Sequence, residues 1–432
     1  LPNEIPSRYT CAFIFRDPDT PYALERWLET LDCTSTATVW NPPTAAVRSR
    51  QMNPQNGVTD WSLSGTAVLR RMAEALEAGT PAAVATIVAV EGNAYRRPGA
   101  TMLLTEDAAA GSVTAGCLES DVEDIADGVR ASGEPVVERF DLTDDEQWGL
   151  GLGCNGVIDI LVEPLDDRFA PLLNGYHSGD DGLAMTVVES DVPGVSVGER
   201  EYAPGGDLGT IAGFPDWLCD AVGQRGREAI ETGRATTVSV SNRENRDCRV
   251  FLDPVLAPPS LYVFGSGVDV RPVTELASRA GFSVTVVPFR GGRANEEMFP
   301  LADSVVSASA PRLAETLTFD TDSYAVVMSH NAVDDRLAVE ALLETPVPYI
   351  GLMGPEERFR EIIEALAAEG RTLTDDELNR VYTPIGLDLG GGEPYQIAMS
   401  IVSELLAVHN GRTPGHLRDR EAPIHGRAGP GE

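Results

Sequence analysis

The sequence predicts an α/β protein: a small N-terminal α/β domain followed by a second domain built on a doubly wound parallel sheet. From residue 261 onward, short runs rich in Val and Ile alternate regularly with helical runs, which is typical of such a sheet. Pro258 and Pro259 precede the first of these runs and mark a domain boundary. At 432 residues the chain also exceeds an average domain of about 100–200 residues. The second domain is therefore expected to be Rossmann-like.

Three predicted segments cover most of the chain. Residues 1–60 mix Pro, Thr and Asn, contain one helix-like piece at 22–31, and form an extension to which the sequence assigns no role. Residues 62–256 make up the N-terminal domain. Residues 260–425 make up the Rossmann-like domain.

The elements of the first domain follow from apolar runs bounded by glycine and proline. Residues 111–133 predict a short strand that ends at Ala115–Gly116 and then a helix over 117–131, because apolar residues recur there at helical spacing. The other elements are a helix at about 66–78, strands at 82–90, 100–106, 135–140 and 156–163, a helix near 216–232, and strands near 235–240 and 248–252.

The second domain alternates strands with helices. Its predicted strands are 261–265, 283–287, 303–307, 324–329 and 348–352, and its predicted helices are 270–280, 311–317, 333–344, 355–368 and 393–408.

Charge is the strongest compositional feature. The chain has 67 acidic and 33 basic residues, none of them lysine, and a formal net charge of −34. This excess disfavours binding to nucleic acid or anionic membranes, because phosphate recognition needs clustered cations. Salt screens the self-repulsion of such a surface, with a Debye length of about 3 Å at 1 M ionic strength. The composition therefore predicts a halophilic protein of a salt-rich cytoplasm.

Two further observations bound the class of protein. No run of about 18 apolar residues occurs, and the N-terminus lacks a basic stretch followed by an apolar one. We therefore expect a cytoplasmic protein without a membrane span. The six cysteines form no CxxC pair, which favours reduced, individually placed thiols over a disulfide framework or a zinc knuckle.

The stretch GLGCNG at 151–156 places Cys154 among three glycines, directly before the apolar run VIDIL. The glycines are typical of a tight turn, because glycine accepts positive φ without steric cost. The alternative is a loop that brings a thiol and bare backbone N–H groups to a ligand. The stretch alone leaves both interpretations open.

The turn EGNAYRRPG at 91–99 places Arg96 and Arg97 side by side in a strongly acidic chain. Guanidinium groups suit bidentate recognition of phosphate or carboxylate. The alternative is a surface turn whose arginines pair with local carboxylates.

Cys117 directly follows Gly116 at the predicted start of a helix. The helix dipole there favours the thiolate, which contacts metals or electrophiles. The alternative is a buried small residue, which is common for cysteine. Glu119 is expected in the first helical turn, where a carboxylate also stabilises the dipole without touching any ligand.

Gly265-Ser266-Gly267 follows the strand LYVF and opens a helix, which is the context of a dinucleotide phosphate loop. The match is partial, because Val270 stands at the third glycine position and Pro272 lies in the helix. The second strand ends in Pro288–Phe289, where NAD-binding domains carry an acidic residue for the ribose. These residues predict a nucleotide-type fold and argue against NAD(P) as its ligand.

Other strand ends of this domain point to the same edge of the sheet, where ligands bind in open α/β folds. They are MSHN at 328–331, GLMG at 351–354 and GLDLGGG at 386–392. His330 is accordingly a candidate ligand contact, with a helix-capping or core histidine as the alternative.

Taken together, these segments resemble the XdhC/CoxI family of molybdenum-cofactor maturation factors for xanthine-dehydrogenase-type molybdoenzymes. The resemblance runs from about residue 62 to about residue 425. The matching segments are VATIVAVEGNAYRRPGATMLL, GSVTAGCLESDVEDIA, WGLGLGCNGVIDILVEPL, LYVFGSGVDVRPVTELA, PYIGLMGP and IGLDLGGGEPYQIAMSIVSELLA.

The resemblance implies a cofactor chaperone rather than a catalyst. Such a protein binds new molybdenum cofactor (molybdopterin) transiently, shields it during sulfuration, and delivers it to an apo molybdenum hydroxylase of the xanthine or CO dehydrogenase type. A cysteine desulfurase and a second copy of the chain are the further partners that it allows. The cofactor-binding residues carried over are Arg96, Arg97, Gly99, Gly116, Cys117, Glu119, Gly151, Gly153 and Cys154, to which the C-terminal crevice adds Gly265, Gly267 and His330.

The chain also departs from the family pattern. Val268 stands where Gly-x-Gly is commonly followed by His, and Pro288–Phe289 stands where Asp-Pro is usual. Both changes weaken the case for a nucleotide or metal site in the C-terminal domain. In the first domain Asn93-Ala94-Tyr95 replaces Ser-Ser-Pro and Asn155 replaces glycine. The alternatives to the chaperone are a NAD(P)-dependent oxidoreductase and a purely structural adaptor.

Overall fold

The structure, a computed structural model, describes residues 59–142, 156–289 and 296–419. These residues belong to one compact unit, which spans Asn53–Glu432. The strands of the first part are β1 (Ala82–Gly92), β2 (Thr101–Thr105), β3 (Ala109–Gly111), β4 (Val136–Asp141), β5 (Gly156–Pro164), β6 (Gly182–Ser190), β7 (Arg200–Pro204), β8 (Thr236–Ser241) and β9 (Asp247–Val255). Those of the second part are β10 (Ser260–Phe264), β11 (Ser283–Val287), β12 (Ser304–Val305), β13 (Ser323–Val327), β14 (Tyr349–Leu352) and β15 (Val381–Tyr382).

Helices cover the sheets. They are α1 (Gly65–Glu77), α2 (Glu119–Ser132), α3 (Ala170–Ser178), α4 (Asp216–Thr232), α5 (Val270–Arg279), α6 (Ala332–Leu343), α7 (Glu356–Ala368), α8 (Asp375–Asn379) and α9 (Pro394–His409).

The first sheet is antiparallel, with the strand order β3-β2-β1-β5-β4. Its central strand β1 is a run of small and β-branched residues that is buried from Ala82 to Val88, as expected for a strand covered on both faces. Helix α2 lies on one face and buries Val122, Ala126 and Val129. This helical spacing turns one apolar stripe toward the sheet.

The second sheet repeats the topology of the first one. Its order is β7-β6-β9-β8, which matches β2-β1-β5-β4, and α4 packs on it as α2 packs on the first sheet. The first strand of each unit carries a bulge at the same place, between Ile87 and Ala89 in β1 and between Val187 and Glu189 in β6. The described part of the N-terminal region is therefore a tandem duplication.

The loops after these bulged strands also match. Gly99 donates from its N–H to the Ile87 carbonyl at 2.9 Å, and Gly198 donates to the Val187 carbonyl at 2.9 Å. Both glycines have positive φ, 95° and 82°, which an L-residue adopts only with strain. The two halves thus share this loop geometry although the loop sequences differ.

The two antiparallel sheets pack face to face through matching positions. Val88 and Leu161 of the first sheet form one buried cluster with Val188 and Phe251 of the second. Beside this cluster, Arg200 donates from Nη2 to the Glu163 carboxylate, and both side chains are almost fully buried. An apolar seam and a buried ion pair therefore join the two halves.

The C-terminal sheet is fully parallel, with the order β12-β11-β10-β13-β14-β15. Numbered within the domain, this is the 3-2-1-4-5-6 order of the doubly wound dinucleotide fold. Its strands are buried on both sides, with α6 and α7 covering one face and α5 and α9 the other. The predicted α/β fold class, with a Rossmann-like second domain, is confirmed.

Several individual elements differ from the prediction. The short strand expected to end at Ala115–Gly116 is β3, which ends at Gly111, and the helix expected from Cys117 begins at Glu119. The expected helix at 311–317 is a 3₁₀ turn, Ala310–Glu315. The non-helical backbone of Arg312 (φ −133°, ψ 39°) interrupts it. Strands β6 and β7 and helix α3 were not predicted.

Candidate functional site

A loop, a turn and the start of a strand of the first sheet lie at one edge. Strand β1 ends there at Gly92, which pairs with Gly156 at the start of the antiparallel strand β5. Strand β3 runs antiparallel to β2, which itself runs antiparallel to β1, so β3 also ends at this edge. The loop after β1, the turn after β3 and Gly156 at the start of β5 are therefore neighbours. The loop and the turn carry residues that the sequence predicted for ligand binding.

Arg96 is the cation of this edge whose side chain is held by specific contacts. Its Nη2 donates to the Ser112 hydroxyl at 2.9 Å, and its guanidinium carbon lies 6.0 Å from the centroid of the Tyr95 ring. Its Nε is buried and has no hydrogen-bond partner among the residues that the structure describes. Across the described ranges, no carboxylate lies within 4 Å of the Arg96 guanidinium. A buried donor without an acceptor is costly, so this group is suited to receive an anion.

Arg97 and Gly99 complete the loop. Arg97 is exposed, and the described residues place no carboxylate within 4 Å of it either. In a chain of net charge −34, two adjacent cations that lack an acidic partner within the described ranges form a local exception. Gly99 holds the loop to β1 through its bond to Ile87. Among the described residues, no local carboxylate pairs with either arginine of this loop.

The turn between β3 and α2, residues 112–118, is organised by Glu119. The Glu119 carboxylate is 1 % exposed and accepts from the Thr114 N–H at 2.8 Å, the Thr114 hydroxyl at 2.5 Å and the Leu118 N–H at 3.1 Å. Three hydrogen bonds to one buried carboxylate fix the path of the turn. Glu119, predicted as a ligand contact, is thus placed as the anchor of the turn.

Gly116 and Cys117 lie at the tip of this turn. Ala115 and Gly116 are exposed, and Gly116 has φ of 106°, which requires glycine. Cys117 is half-buried beside the apolar cluster that includes Ala94, and its N–H donates to the Thr114 hydroxyl at 3.1 Å. Because Leu118 is the N-cap of α2, the thiol precedes the helix instead of lying in its first turn. This corrects the expected placement.

The loop GLGCNG reaches the same edge through its last residue. Gly156 lies so close to the first loop that a Cβ on it would come within 2.5 Å of the Asn93 carbonyl oxygen. Gly151, Gly153 and Cys154 lie outside the described residues, as does the predicted extension up to residue 58. The prediction that Gly151, Gly153 and Cys154 bind cofactor therefore stays a prediction.

The duplicated second half lacks these side chains. The position of Cys117, one residue before the helix N-cap, is taken there by Phe214, which is 6 % exposed and packs in the core of that half. The loop that ends at Gly198 reads DVPGVSVG and contains no arginine. The candidate site therefore belongs to the first half alone.

Ser112 and Thr114, which orient Arg96 and the turn, were not predicted from the sequence. Their hydroxyls hydrogen-bond within the edge, whereas the flanking Val113 is buried in the core. The alternation of polar and apolar residues in Ser112-Val113-Thr114 was the sequence pattern that could have indicated these two hydroxyls.

The C-terminal domain places Gly265, Gly267 and His330 at its crevice. The His330 side chain is 58 % exposed, has φ of 59°, and its Nε2 lies 2.8 Å from Oδ2 of Asp269. Asn331 caps α6 by accepting from Val333 and Asp334, so His330 is neither the cap nor a core residue. Asp269 is the N-cap residue of α5 and places a carboxylate where the fold would bind a pyrophosphate.

The described residues show neither a metal cluster nor a membrane span. No group of three or more His, Cys, Asp and Glu side chains among them is arranged to hold a metal ion. None of the helices in these ranges is long and apolar enough to cross a bilayer.

A duplicated antiparallel region with an arginine- and glycine-rich edge, followed by a Rossmann domain, defines the class of protein. The chain belongs to the XdhC and CoxI family: residues 75–141 match the family of that description, and residues 261–405 match the XdhC Rossmann domain.

Relatives agree with this assignment. The chain is 28 % identical over 343 residues to a protein of Bacillus subtilis described as a probable subunit of xanthine dehydrogenase, covering 77 % of this chain and 94 % of that protein. It is 28 % identical over 160 residues to the uncharacterized protein YqeB of Escherichia coli, covering 37 % and 29 % of the two chains. A crystal structure of a xanthine dehydrogenase from Bacillus halodurans superposes with a TM-score of 0.62 at 26 % identity, covering 81 % of this chain and 97 % of that one.

Proposed function

We propose that this protein is an accessory factor of a xanthine-dehydrogenase-type molybdenum hydroxylase, and that it carries molybdenum cofactor as cargo on the edge formed by Arg96, Arg97, Gly116 and Cys117. The observation that carries the proposal is the Arg96 guanidinium, which is oriented by Ser112, has a buried Nε without a partner and lacks a carboxylate within 4 Å among the described residues. Family membership and the names of the relatives supply the accessory role.

The residues of this edge suit the chemistry of the cargo. Molybdopterin has a phosphate, a hydrogen-bonding pterin and a dithiolene that binds the metal. Arg96 and Arg97 supply donors for phosphate. The exposed backbone of Ala115 and Gly116 offers peptide edges for the pterin, and Cys117 supplies a soft sulfur near them. Because hydrogen bonds and one thiol hold the cargo, it can be released again, as a carrier requires.

The residues of this edge have different proposed roles. Arg96 and Arg97 bind and orient the anionic end of the cargo, while Glu119 and Thr114 keep the turn in place. Cys117 lies beside apolar side chains of the core, which exclude water from one side of the thiol. The cargo itself supplies the redox-active metal once it reaches the hydroxylase.

No observation favours the NAD(P)-dependent oxidoreductase. At the start of α5, the Asp269 carboxylate disfavours the pyrophosphate of a dinucleotide by like-charge repulsion.

The test measures cargo retention. The protein is produced in cells that make molybdenum cofactor and in cells that do not, and bound molybdenum and the fluorescence of oxidised pterin are quantified after purification. Arg96→Gln and Cys117→Ser should each lower retained pterin and molybdenum about tenfold, the loss expected for one charged or metal contact. Arg227→Gln and Cys219→Ser, in helix α4 of the second half, are matched controls and should retain wild-type amounts.

Absence of cofactor from the wild-type protein would refute the carrier role. Wild-type retention by Cys117→Ser would remove the thiol from the site while leaving the arginines. Binding to an apo hydroxylase is measured separately by co-purification, because an adaptor without cargo would pass that assay and fail the first.

A further inference from the structure

The C-terminal domain has a cavity that the proposed carrier site does not use. It lies at the carboxyl ends of β11 and β12 and has a volume of about 330 Å³. It is lined by Phe289, Ser307, Ala308, Ser309, Arg312, Glu315 and Thr316. In a parallel sheet of this order, the carboxyl ends of the strands form the ligand crevice. The cavity lies on the β11–β12 side of the β10–β13 switch point.

The lining combines an aromatic ring with groups that bind phosphate. Phe289 packs against Phe264 with the ring centroids 5.7 Å apart and an angle of 15° between the planes, and it also contributes to the cavity wall. The ring is therefore held in place by its neighbour. Aromatic faces held in this way stack well on planar bases.

Most of the other lining residues are polar. Within the described ranges the acidic partner of Arg312 is Glu315, with Nη1 and Oε2 3.5 Å apart, and both side chains are about two-thirds exposed. An exposed ion pair of this kind is weak and exchanges readily for a stronger partner such as phosphate. Ser307, Ser309 and Thr316 add three hydroxyl groups. The Ser309 hydroxyl makes no capping bond to the 3₁₀ turn that it precedes.

The size of the cavity and the charges near it limit which ligands it can bind. Ligand pockets commonly measure about 300–1,000 Å³, so this cavity holds a mononucleotide better than a dinucleotide. Asp269 at the start of α5 disfavours a pyrophosphate bridging from the cavity toward the glycine loop. The end of β11 carries Pro288–Phe289 in place of the acidic residue that binds a ribose diol. Among the described lining residues, Arg312 and the hydroxyls are the polar contacts suited to phosphate.

We infer that this cavity binds a nucleoside monophosphate, with the base on Phe289 and the phosphate on Arg312 and the neighbouring hydroxyls. Glu315 sets the affinity by competing with the phosphate for the Arg312 guanidinium. The site is independent of the cargo edge of the first domain, and its failure would leave the carrier proposal untouched.

Calorimetric titration of the full chain at fixed ionic strength tests the inference with four probes: 5′-AMP, adenosine, ribose 5-phosphate and inorganic phosphate. 5′-AMP should bind at least about tenfold more tightly than each of the other three, since only it has both recognised groups. Arg312→Gln should lose about tenfold in affinity for 5′-AMP, and Glu315→Gln should gain severalfold because it frees the guanidinium.

The matched control is Arg360→Gln, which breaks another exposed ion pair, 2.9 Å from Glu356 on α7, away from the cavity lining. It should bind 5′-AMP as the wild type does. Equal binding of 5′-AMP and ribose 5-phosphate, unchanged affinity in Arg312→Gln, or no heat with 5′-AMP at millimolar concentration would each overturn the inference. Circular dichroism of every variant confirms that the fold is retained.

Discussion

A hydrogen bond of 2.9 Å from Nη2 of Arg96 to the hydroxyl of Ser112 joins the loop after β1 to the turn after β3. The two residues lie on different strand connections, and only the antiparallel order β3-β2-β1 brings them to one edge. Ser112 is 6 % exposed, so the guanidinium is held from its inner side. The proposed carrier site depends on this bond for the orientation of its best-placed cation.

Ser112→Ala should therefore weaken cargo retention without unfolding the protein. The substitution removes one acceptor and leaves the guanidinium less restrained, with an expected cost of about 1 kcal/mol, or roughly fivefold in retained pterin. Retention is measured as for Arg96→Gln. Ser241→Ala removes an exposed side-chain bond to Asp247 in the second sheet and serves as the control. Unchanged retention in Ser112→Ala would show that Arg96 needs no such support.

Glu119→Gln should destabilise the fold. The carboxylate accepts three hydrogen bonds, whereas an amide offers one oxygen and turns N–H groups toward donors, for an expected loss of about 1–3 kcal/mol in unfolding free energy. Urea unfolding measures it. Glu123→Gln on the exposed face of the same helix should stay within about 0.5 kcal/mol of wild type. Wild-type stability of Glu119→Gln would contradict the anchoring role.

Gly156→Ala should disturb the arginine loop, because the new Cβ would come within 2.5 Å of the Asn93 carbonyl oxygen and 2.8 Å of the Glu91 carbonyl oxygen. We expect a loss of about 1–3 kcal/mol, as for overpacking, and weaker cargo retention. Gly128→Ala is the opposite case: it lies within α2 with no atom within 4 Å of the added Cβ, and should stabilise the protein by about 0.5–1 kcal/mol. Equal stability of the two variants would argue against a close approach at Gly156.

Asp253 predicts a pH dependence of stability. It occupies in β9 the position that Glu163 has in β5, and burial raises the pKa of its carboxyl to about 7, against a smaller opposing effect of the Arg200 charge. Between the unfolded value of about 4 and 7, the folded protein keeps a proton that the unfolded chain has lost. The unfolding free energy should therefore fall as pH rises through this window and level off above it, by a few kcal/mol at most.

The variant Asp253→Asn has no such proton to release. It should therefore lack this part of the dependence of the unfolding free energy on pH. Burial also raises the pKa of Glu163, so this residue makes the unfolding free energy fall with pH in both proteins. The difference between the pH profiles of wild type and variant therefore isolates Asp253. Urea unfolding at pH 4.5, 6 and 8 measures it, with Asp247→Asn at the exposed start of β9 as the control. Parallel pH profiles of wild type and Asp253→Asn would contradict the assignment.

The charge of −34 predicts stabilisation by salt. Screening of the acidic surface between 0.1 and 2 M KCl should raise the thermal midpoint by about 5–10 °C, equivalent to a few kcal/mol in a chain of this size. Differential scanning calorimetry checks it. A midpoint that is unchanged or falls with added KCl would speak against the interpretation of the composition as halophilic.

Much of the C-terminal fold is predictable from the sequence, because each buried parallel strand is a continuous apolar run bounded by glycine or proline. The duplicated region is harder. Strands β6 and β7 lie in a stretch whose glycines and prolines suggest irregular structure. Their match to β1 and β2 shows in the strand order, the bulges and the Gly99 and Gly198 bonds. This match lies in backbone geometry, which the side-chain pattern of a single segment does not reveal.

The sequence by itself determined the fold class, the acidic character and the motif residues Arg96, Arg97 and Cys117, since composition and strand-end patterns are local properties of the chain. Only the tertiary structure decided that Ser112 holds Arg96, that Glu119 anchors the turn before α2, and that Phe214 fills the matching position in the second half. These relationships join residues on different strands. Their contacts depend on sheet order and burial, which no single segment encodes.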